Sequence, residues 1–117
     1  MRVLLAVSKP KVRYALNVLL QQQPWMKIVG EAVDVAQMFV RALEAHPHLV
    51  LVDWDLPDLL AGDSIAILRK SCPGVQVVAL CRKRDVGQAA MNAGADAIVS
   101  TAESPECLLA TIRGCFA

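Results

Sequence analysis

Short apolar runs alternate with amphipathic segments from one end of the chain to the other, and no other feature narrows the fold so far. A strand buried on both faces reads as an unbroken apolar run, and a helix lying over a sheet reads as an apolar stripe repeating every 3.6 residues or so, about one helical turn. Their alternation marks βα units feeding a parallel sheet, and five units can be counted here. Val3 to Val7 reads as the first strand. A helix follows from about Pro10, a residue suited to a first helical turn, with Val12, Ala15, Leu16, Leu19 and Leu20 on one face and Pro24 closing it. Lys27 to Val33 is the second strand; Val35, Met38, Phe39, Ala42 and Leu43 then recur at helical spacing until His46-Pro47 stops the run. Leu49 to Val52 is the most continuous apolar run, which makes it the central strand, and it ends on Asp53. Ile65, Ile67 and Leu68 fit a third helix, Val75 to Leu80 a fourth strand, Val86 to Ala93 a short fourth helix and Ala97 to Val99 the fifth strand. Ser104-Pro105-Glu106 opens the last helix with an N-cap and a proline, turning Leu108, Leu109, Ile112, Cys115 and Phe116 inward.

The 117 residues fit one domain, residues 1–117, able to bury roughly two-thirds of its surface without staples. Apolar residues make up 56% of the chain but aromatics only 4%; the surplus is Ala, Val and Leu, which fill buried parallel strands and their covering helices. A formal net charge of +1 argues against generic nucleic-acid binding by this domain. The N-terminal apolar run is too short for a signal peptide or a membrane span, so a cytosolic (cytoplasmic) protein is expected. The four cysteines, at 72, 81, 107 and 115, form no C-x-x-C pair and have no histidines at zinc spacing; all are expected as reduced thiols, mostly buried. His46 and His48 flank Pro47 at a helix end without a third ligand nearby and read as structural. Repeats and low-complexity tracts are absent, and the abrupt end after the fifth helix hints at a domain excised from a longer protein. With no glycine-rich phosphate loop, catalytic dyad or zinc spacing, an enzyme of small-molecule metabolism is not expected.

In an open α/β sheet, ligands sit outside the carboxyl ends of the strands near the switch in strand order. The segments to search are therefore Val7 to Pro10, Asp53 to Asp58, Cys81 to Arg84 and Ser100 to Glu103. Val29-Gly30-Glu31-Ala32, Leu51-Val52-Asp53 with Leu56-Pro57, Ala93-Gly94-Ala95-Asp96-Ala97 and Ser104-Pro105-Glu106-Cys107-Leu108 stand in this order along the chain. On these stretches the chain resembles the receiver domain of bacterial response regulators, the CheY-like fold of two-component phosphorelay signal transduction, and within it the NarL/LuxR-type receivers. The resemblance implies a three-layer, doubly wound (βα)5 sandwich of the flavodoxin-like class, with a five-stranded parallel sheet in the order 2-1-3-4-5.

The resemblance also implies a site. Asp53 falls on the aspartate that accepts a phosphoryl group from a histidine kinase. In the family, a carboxylate pair after strand one and the carbonyl two residues past the acceptor bind Mg²⁺. Here the pair falls on Val7 and Ser8, and the carbonyl on Asp55. Cys81 and Arg82 stand where the family has a hydroxyl and a small residue, Thr101 where it has a lysine, and Ile98 where it has an aromatic switch. The loop Asp58-Leu59-Leu60-Ala61-Gly62 is one residue longer than the family pattern.

The pocket is thus expected from Ser8, Lys9, Asp55, Cys81, Arg82 and Thr101 around Asp53, with Asp53 and Asp55 as the remaining metal donors. Lys9, Arg82 and Lys83 should approach Asp53, and a cation within about 4 to 6 Å favours the ionised aspartate without metal. Asp53 is accordingly expected to be held by Arg82 or Lys9, with no cofactor and Mg²⁺ weakly bound or absent. A plain surface ion pair, and an acidic site rebuilt from Asp55 and Asp58, stand as alternatives. Arg82-Lys83-Arg84 reads as a solvated turn before an anion site; Trp54 should point away from Asp53, as half-buried packing or as a partner anchor; Met26, Met38 and Met91 read as core. The function that follows is a pseudo-receiver acting through protein contacts. A conventional regulator phosphorylated on Asp53 is the alternative, and an N-terminal localisation domain of a larger ATPase is a third reading that a downstream P-loop would favour. Partners implied are a histidine kinase or an output domain, with a homodimer left open, and neither nucleic acid nor membrane.

Overall fold

The computed structural model describes residues 1–56, 64–82, 87–92, 94–101 and 104–115. Along the chain run β1 (Arg2–Ala6), α1 (Pro10–Gln21), β2 (Lys27–Ala32), α2 (Val35–Ala45), β3 (Leu49–Asp53), α3 (Ser64–Ser71), β4 (Gln76–Cys81), α4 (Gly87–Asn92), β5 (Ala97–Ser100) and α5 (Pro105–Cys115). The strands form one sheet in the order β2-β1-β3-β4-β5, every neighbouring pair parallel. This is the flavodoxin-like order that the resemblance implied, and the order in which strands are added switches sides between β1 and β3.

Alternation along the strands divides the core in two. Val50, Val52 and Trp54 pack with Leu4, Val77 and Ala79 beneath α2 and α3, around Met38, Ile65 and Leu68. Leu49 and Leu51 face the other way with Val3, Leu5, Val78 and Leu80, beneath Leu20 of α1 and Leu108 and Ile112 of α5. All five residues of β3 are buried, as its unbroken apolar run requires of a central strand. The same alternation puts the Asp53 side chain on the α1/α5 side and Trp54 on the other.

Local chemistry fixes the joints. Asp34 caps α2 by accepting the Gln37 N–H at 2.8 Å, while Gln37 Oε1 accepts the Val33 N–H at 3.1 Å, a reciprocal capping box. At the far end His46 takes the left-handed conformation, φ 48°, and its N–H reaches the Ala42 carbonyl. His48 accepts the Arg2 N–H at Nδ1, a structural duty. The β1–β2 register shifts between Val3 and Leu4, bringing Leu4 opposite Gly30, where an added Cβ would lie 3.1 Å from Leu4 Cδ1. Asp96 accepts both the Val77 N–H and an Arg69 N–H at 2.7 Å, and Arg69 also donates to the Gly94 and Val75 carbonyls, tying α3, β4 and the β5 entry together.

The core reading of Met91 is corrected, and some apolar helix positions face solvent. Leu43 on α2 and Ile67 on α3 are 54% and 49% exposed, because each helix buries a narrower stripe (Val35, Met38 and Ala42; Ile65 and Leu68) than its apolar pattern offers. Met91 on the short α4 is 41% exposed, whereas Met26 and Met38 are buried. Cys72 and Cys81 are buried thiols, but Cys107 is exposed. Val86, Ala93, the Cys115 side chain and Phe116 lie outside the described residues. Among the described residues no helix is long and apolar enough to cross a membrane.

Candidate functional site at the carboxyl ends of the strands

β3 delivers Asp53 to the carboxyl edge of the sheet, paired in register with Leu80 and only 8% exposed. The chain turns at once: the Leu56 N–H bonds to the Asp53 carbonyl at 2.9 Å and the Asp55 N–H donates to Asp53 Oδ1 at 3.0 Å. This Asx-type turn fixes the carboxylate through its own backbone. A cavity of about 220 Å³ opens above it, lined by Lys9, Val12, Asp53, Leu80, Cys81, Arg82 and Thr101. The Thr101 N–H donates to the Cys81 carbonyl at 2.8 Å, and Ser100 Oγ donates to the Arg82 carbonyl at 3.2 Å, so β5 holds the cavity's far wall to β4.

Lys9, Cys81, Arg82 and Thr101, read from sequence as pocket residues, do gather around Asp53. Ser8 is half-buried and does not line the cavity. Asp55 does not line it either, and is joined to Asp53 through its N–H. The expected grip on Asp53 by Lys9 or Arg82 is corrected: the Lys9 ammonium pairs with Asp55 Oδ2 at 3.4 Å, and among the described residues Asp53 has no ion-pair partner. The reason is geometric, since Asp55 projects from the turn toward the solvent from which Lys9 reaches, whereas Asp53 is recessed at the strand end. Both partners of that pair are about half exposed, so it is weak. Lys83, Asp58 and the loop through Gly62 lie outside the described residues.

Where the family's carboxylate pair falls, Val7 is fully buried, its N–H bonded to the Ala32 carbonyl at 3.0 Å. Its carbonyl accepts Arg13 Nη1 at 3.1 Å, and the Arg13 guanidinium also lies 3.9 Å from Glu31. Sequence reasoning missed this arginine. The signal was its place four residues after Lys9, one turn along α1 on the same face. Burial, and then the negative charges of Asp53 and Asp55, push the Cys81 thiol above its ordinary pKa, so it sits in the wall as a neutral, weakly donating group. Trp54 is buried against the α2/α3 side of the core, pointing away from Asp53, which agrees with its reading as packing rather than as a partner anchor. Ile98 is partly buried against the same core. Among the described residues no three carboxylate, imidazole or thiol groups converge as a metal site would require.

A family model described as "Response regulator receiver domain" matches residues 3–113. A protein-glutamate methylesterase/protein-glutamine glutaminase of Myxococcus xanthus is 33% identical over 98 residues, covering 80% of this chain and 28% of that protein. The corresponding Thermotoga maritima protein is 29% identical over 72 residues, covering 62% of this chain and 21% of that one. The chain thus spans between a fifth and a third of the length of these curated relatives. Among solved structures, RcsB of Salmonella enterica serovar Typhimurium, bound to a promoter in the presence of a phosphomimetic, superposes with TM-score 0.86 at 20% identity, covering 100% of this chain and 99% of that one. The response regulator domain of Thermotoga maritima CheB superposes with TM-score 0.83 at 23% identity, covering 98% and 95%. At such identities the structural likeness establishes the fold.

Proposed function

The chain belongs to the response regulator receiver domain family of two-component systems, and from that premise we propose that it is a degenerate receiver, one whose output runs through protein contacts rather than a metal-dependent phosphoryl group on Asp53. The observation that carries this is the state of the position where the metal-binding carboxylates would stand. Val7 is buried, its carbonyl is taken by Arg13, and Ser8 offers no anionic oxygen. Mg²⁺ demands near-octahedral oxygen ligands and gives up its water reluctantly, so a site reduced to Asp53 and the Asp55 carbonyl fits it poorly. Lys9 and Arg82 on the same cavity add positive charge where the ion would have to enter. Cys81 supplies a weak, neutral donor in place of a hydroxyl, and Thr101 supplies no charge in place of a lysine.

Without the metal and the strand-five lysine, an acyl phosphate on Asp53 would lack the two cations that the family uses to offset its charge. Output therefore passes to a partner protein, or to a further domain if the chain is part of a longer protein. Adding beryllofluoride with Mg²⁺, with Trp54 emission as the reporter beside the acceptor, should produce no saturable change and no fluorine resonance of a bound adduct. A stable adduct on Asp53, or Mg²⁺ saturation below millimolar concentration, would sink the proposal.

One observation favours the conventional reading: Asp53 lines an open cavity and its carboxylate is oriented by the Asp55 N–H. In that case Arg82 neutralises the phosphoryl group, and the adduct forms in wild type but is lost in Arg82→Ala.

A further inference from the structure

The two helices on the Asp53 side of the sheet leave a cleft between them of about 370 Å³. Its walls are Val12, Leu16 and Leu19 of α1 and Leu108 of α5, and its floor is Leu80 and Val99. From Lys11 to Leu19 the α1 wall runs about 12 Å, at a rise of 1.5 Å per residue, the reach of a medium-length alkyl chain. At the carboxyl edge of the sheet the cleft is lined by Lys11 and Thr101. Val12, Leu80 and Thr101 also line the Asp53 cavity, so the two spaces adjoin.

A volume in this range, mostly apolar with a few polar groups at one end, is the make-up of a small-molecule site. Charge selects the class of ligand. Among the described residues Lys11 is the one charged side chain of the lining and forms no ion pair, and no carboxylate lines the cleft. Glu106 of α5 is exposed and does not line it. In the adjoining cavity Lys9 is paired with Asp55 and Arg82 shares the lining with Asp53, so Lys11 is the charge that sets the sign at the cleft, and a cationic head group would be repelled by it. We propose that the α1/α5 cleft binds a small amphipathic carboxylate of the fatty-acid type, its alkyl body over Leu80 and Val99 and its head at Lys11 and Thr101.

The probe is sodium decanoate, below its micelle concentration, titrated into the isotope-labelled chain and followed by amide chemical shifts. Saturable shifts are expected at Val12, Leu80, Val99 and Leu108, with weak or no response to decyltrimethylammonium. Lys11→Glu should weaken decanoate by about fivefold or more, the scale of one exposed ion pair. Ala15→Trp, which fills the cleft from an exposed position on its α1 wall, should abolish binding. If that variant fails to fold, Lys11→Glu carries the test. The absence of saturable shifts overturns the proposal, as does equal binding of the cationic amphiphile, which would mark an unselective apolar surface. A wild-type dimer in sedimentation that Ala15→Trp dissociates, without decanoate binding, also overturns it, since the cleft is then covered by a second copy. The beryllofluoride experiment does not bear on this outcome, so the two proposals fail separately.

Discussion

Asp53 ends a strand with no exposed residue, and what holds its carboxylate is a backbone N–H two residues on and not a cation. Lys9, which sequence placed against Asp53, neutralises Asp55 instead. Because that pair is half exposed, Lys9→Ala should lower stability by less than about 1 kcal/mol in urea unfolding, with most of the effect gone in high salt. A loss several times larger would mean that Lys9 serves Asp53 after all. The thiols offer a pH test. Burial raises the pKa of Cys72, and burial with the nearby Asp53 and Asp55 charges raises that of Cys81, both from an ordinary value of 9.0. The unfolded chain therefore ionises these thiols first, so their contribution is fully present below pH 9.0 and is lost as pH rises through the folded values. Thermal melts should show stability falling above that pH, less steeply in Cys81→Ser; an unchanged slope in the variant would contradict it. The identities of Val7, Cys81 and Thr101 at the site were legible in sequence. The Arg13 contact was not, because it depends on how α1 leans on the end of β1.

At the scale of elements, the Asp96 carboxylate is the joint between α3, β4 and β5, since it satisfies the Val77 N–H and binds Arg69. Asp96→Ala leaves the Val77 N–H without its acceptor and Arg69 with only the Gly94 and Val75 carbonyls, and should cost about 1–3 kcal/mol in denaturant unfolding. The same change at Glu106, exposed at the start of α5, should cost much less. Gly30 makes a second joint. A side chain there meets Leu4 at 3.1 Å, so Gly30→Val should destabilise by about 1–3 kcal/mol, with Leu4→Ala partly restoring it in a double-mutant cycle. Sequence located the strands and most of the helices to within a residue or two of their ends, because the switch from apolar run to helical spacing is local; α3 runs three residues past Leu68. The apolar pattern is wider than the buried faces of α2 and α3: spacing tells which residues share a face, but only the neighbouring layer decides how far around the helix water is excluded, and Leu43 and Ile67 lie beyond that limit.

For the molecule as a whole, the sheet order 2-1-3-4-5 places β3 at the centre of two cores, one under α2 and α3 and one under α1 and α5. Leu51 lies fully buried at that centre, and Leu51→Ala should cost about 2–5 kcal/mol. Val18→Ala, on the exposed side of α1, should leave the melting temperature nearly unchanged. A small loss at Leu51 would mean that the two layers can close over the cavity. The sequence alone determined the parallel α/β class, the central strand and the acceptor-like aspartate at its end, because each of these follows from periodicity or from the residue type at a fixed place in a short motif. Only the tertiary structure decided that Lys9 belongs to Asp55, that Arg13 caps the Val7 carbonyl, and that an apolar cleft adjoins the Asp53 cavity. These depend on distances between side chains carried by separate elements, and such distances are set by the packing of layers, which no local pattern encodes.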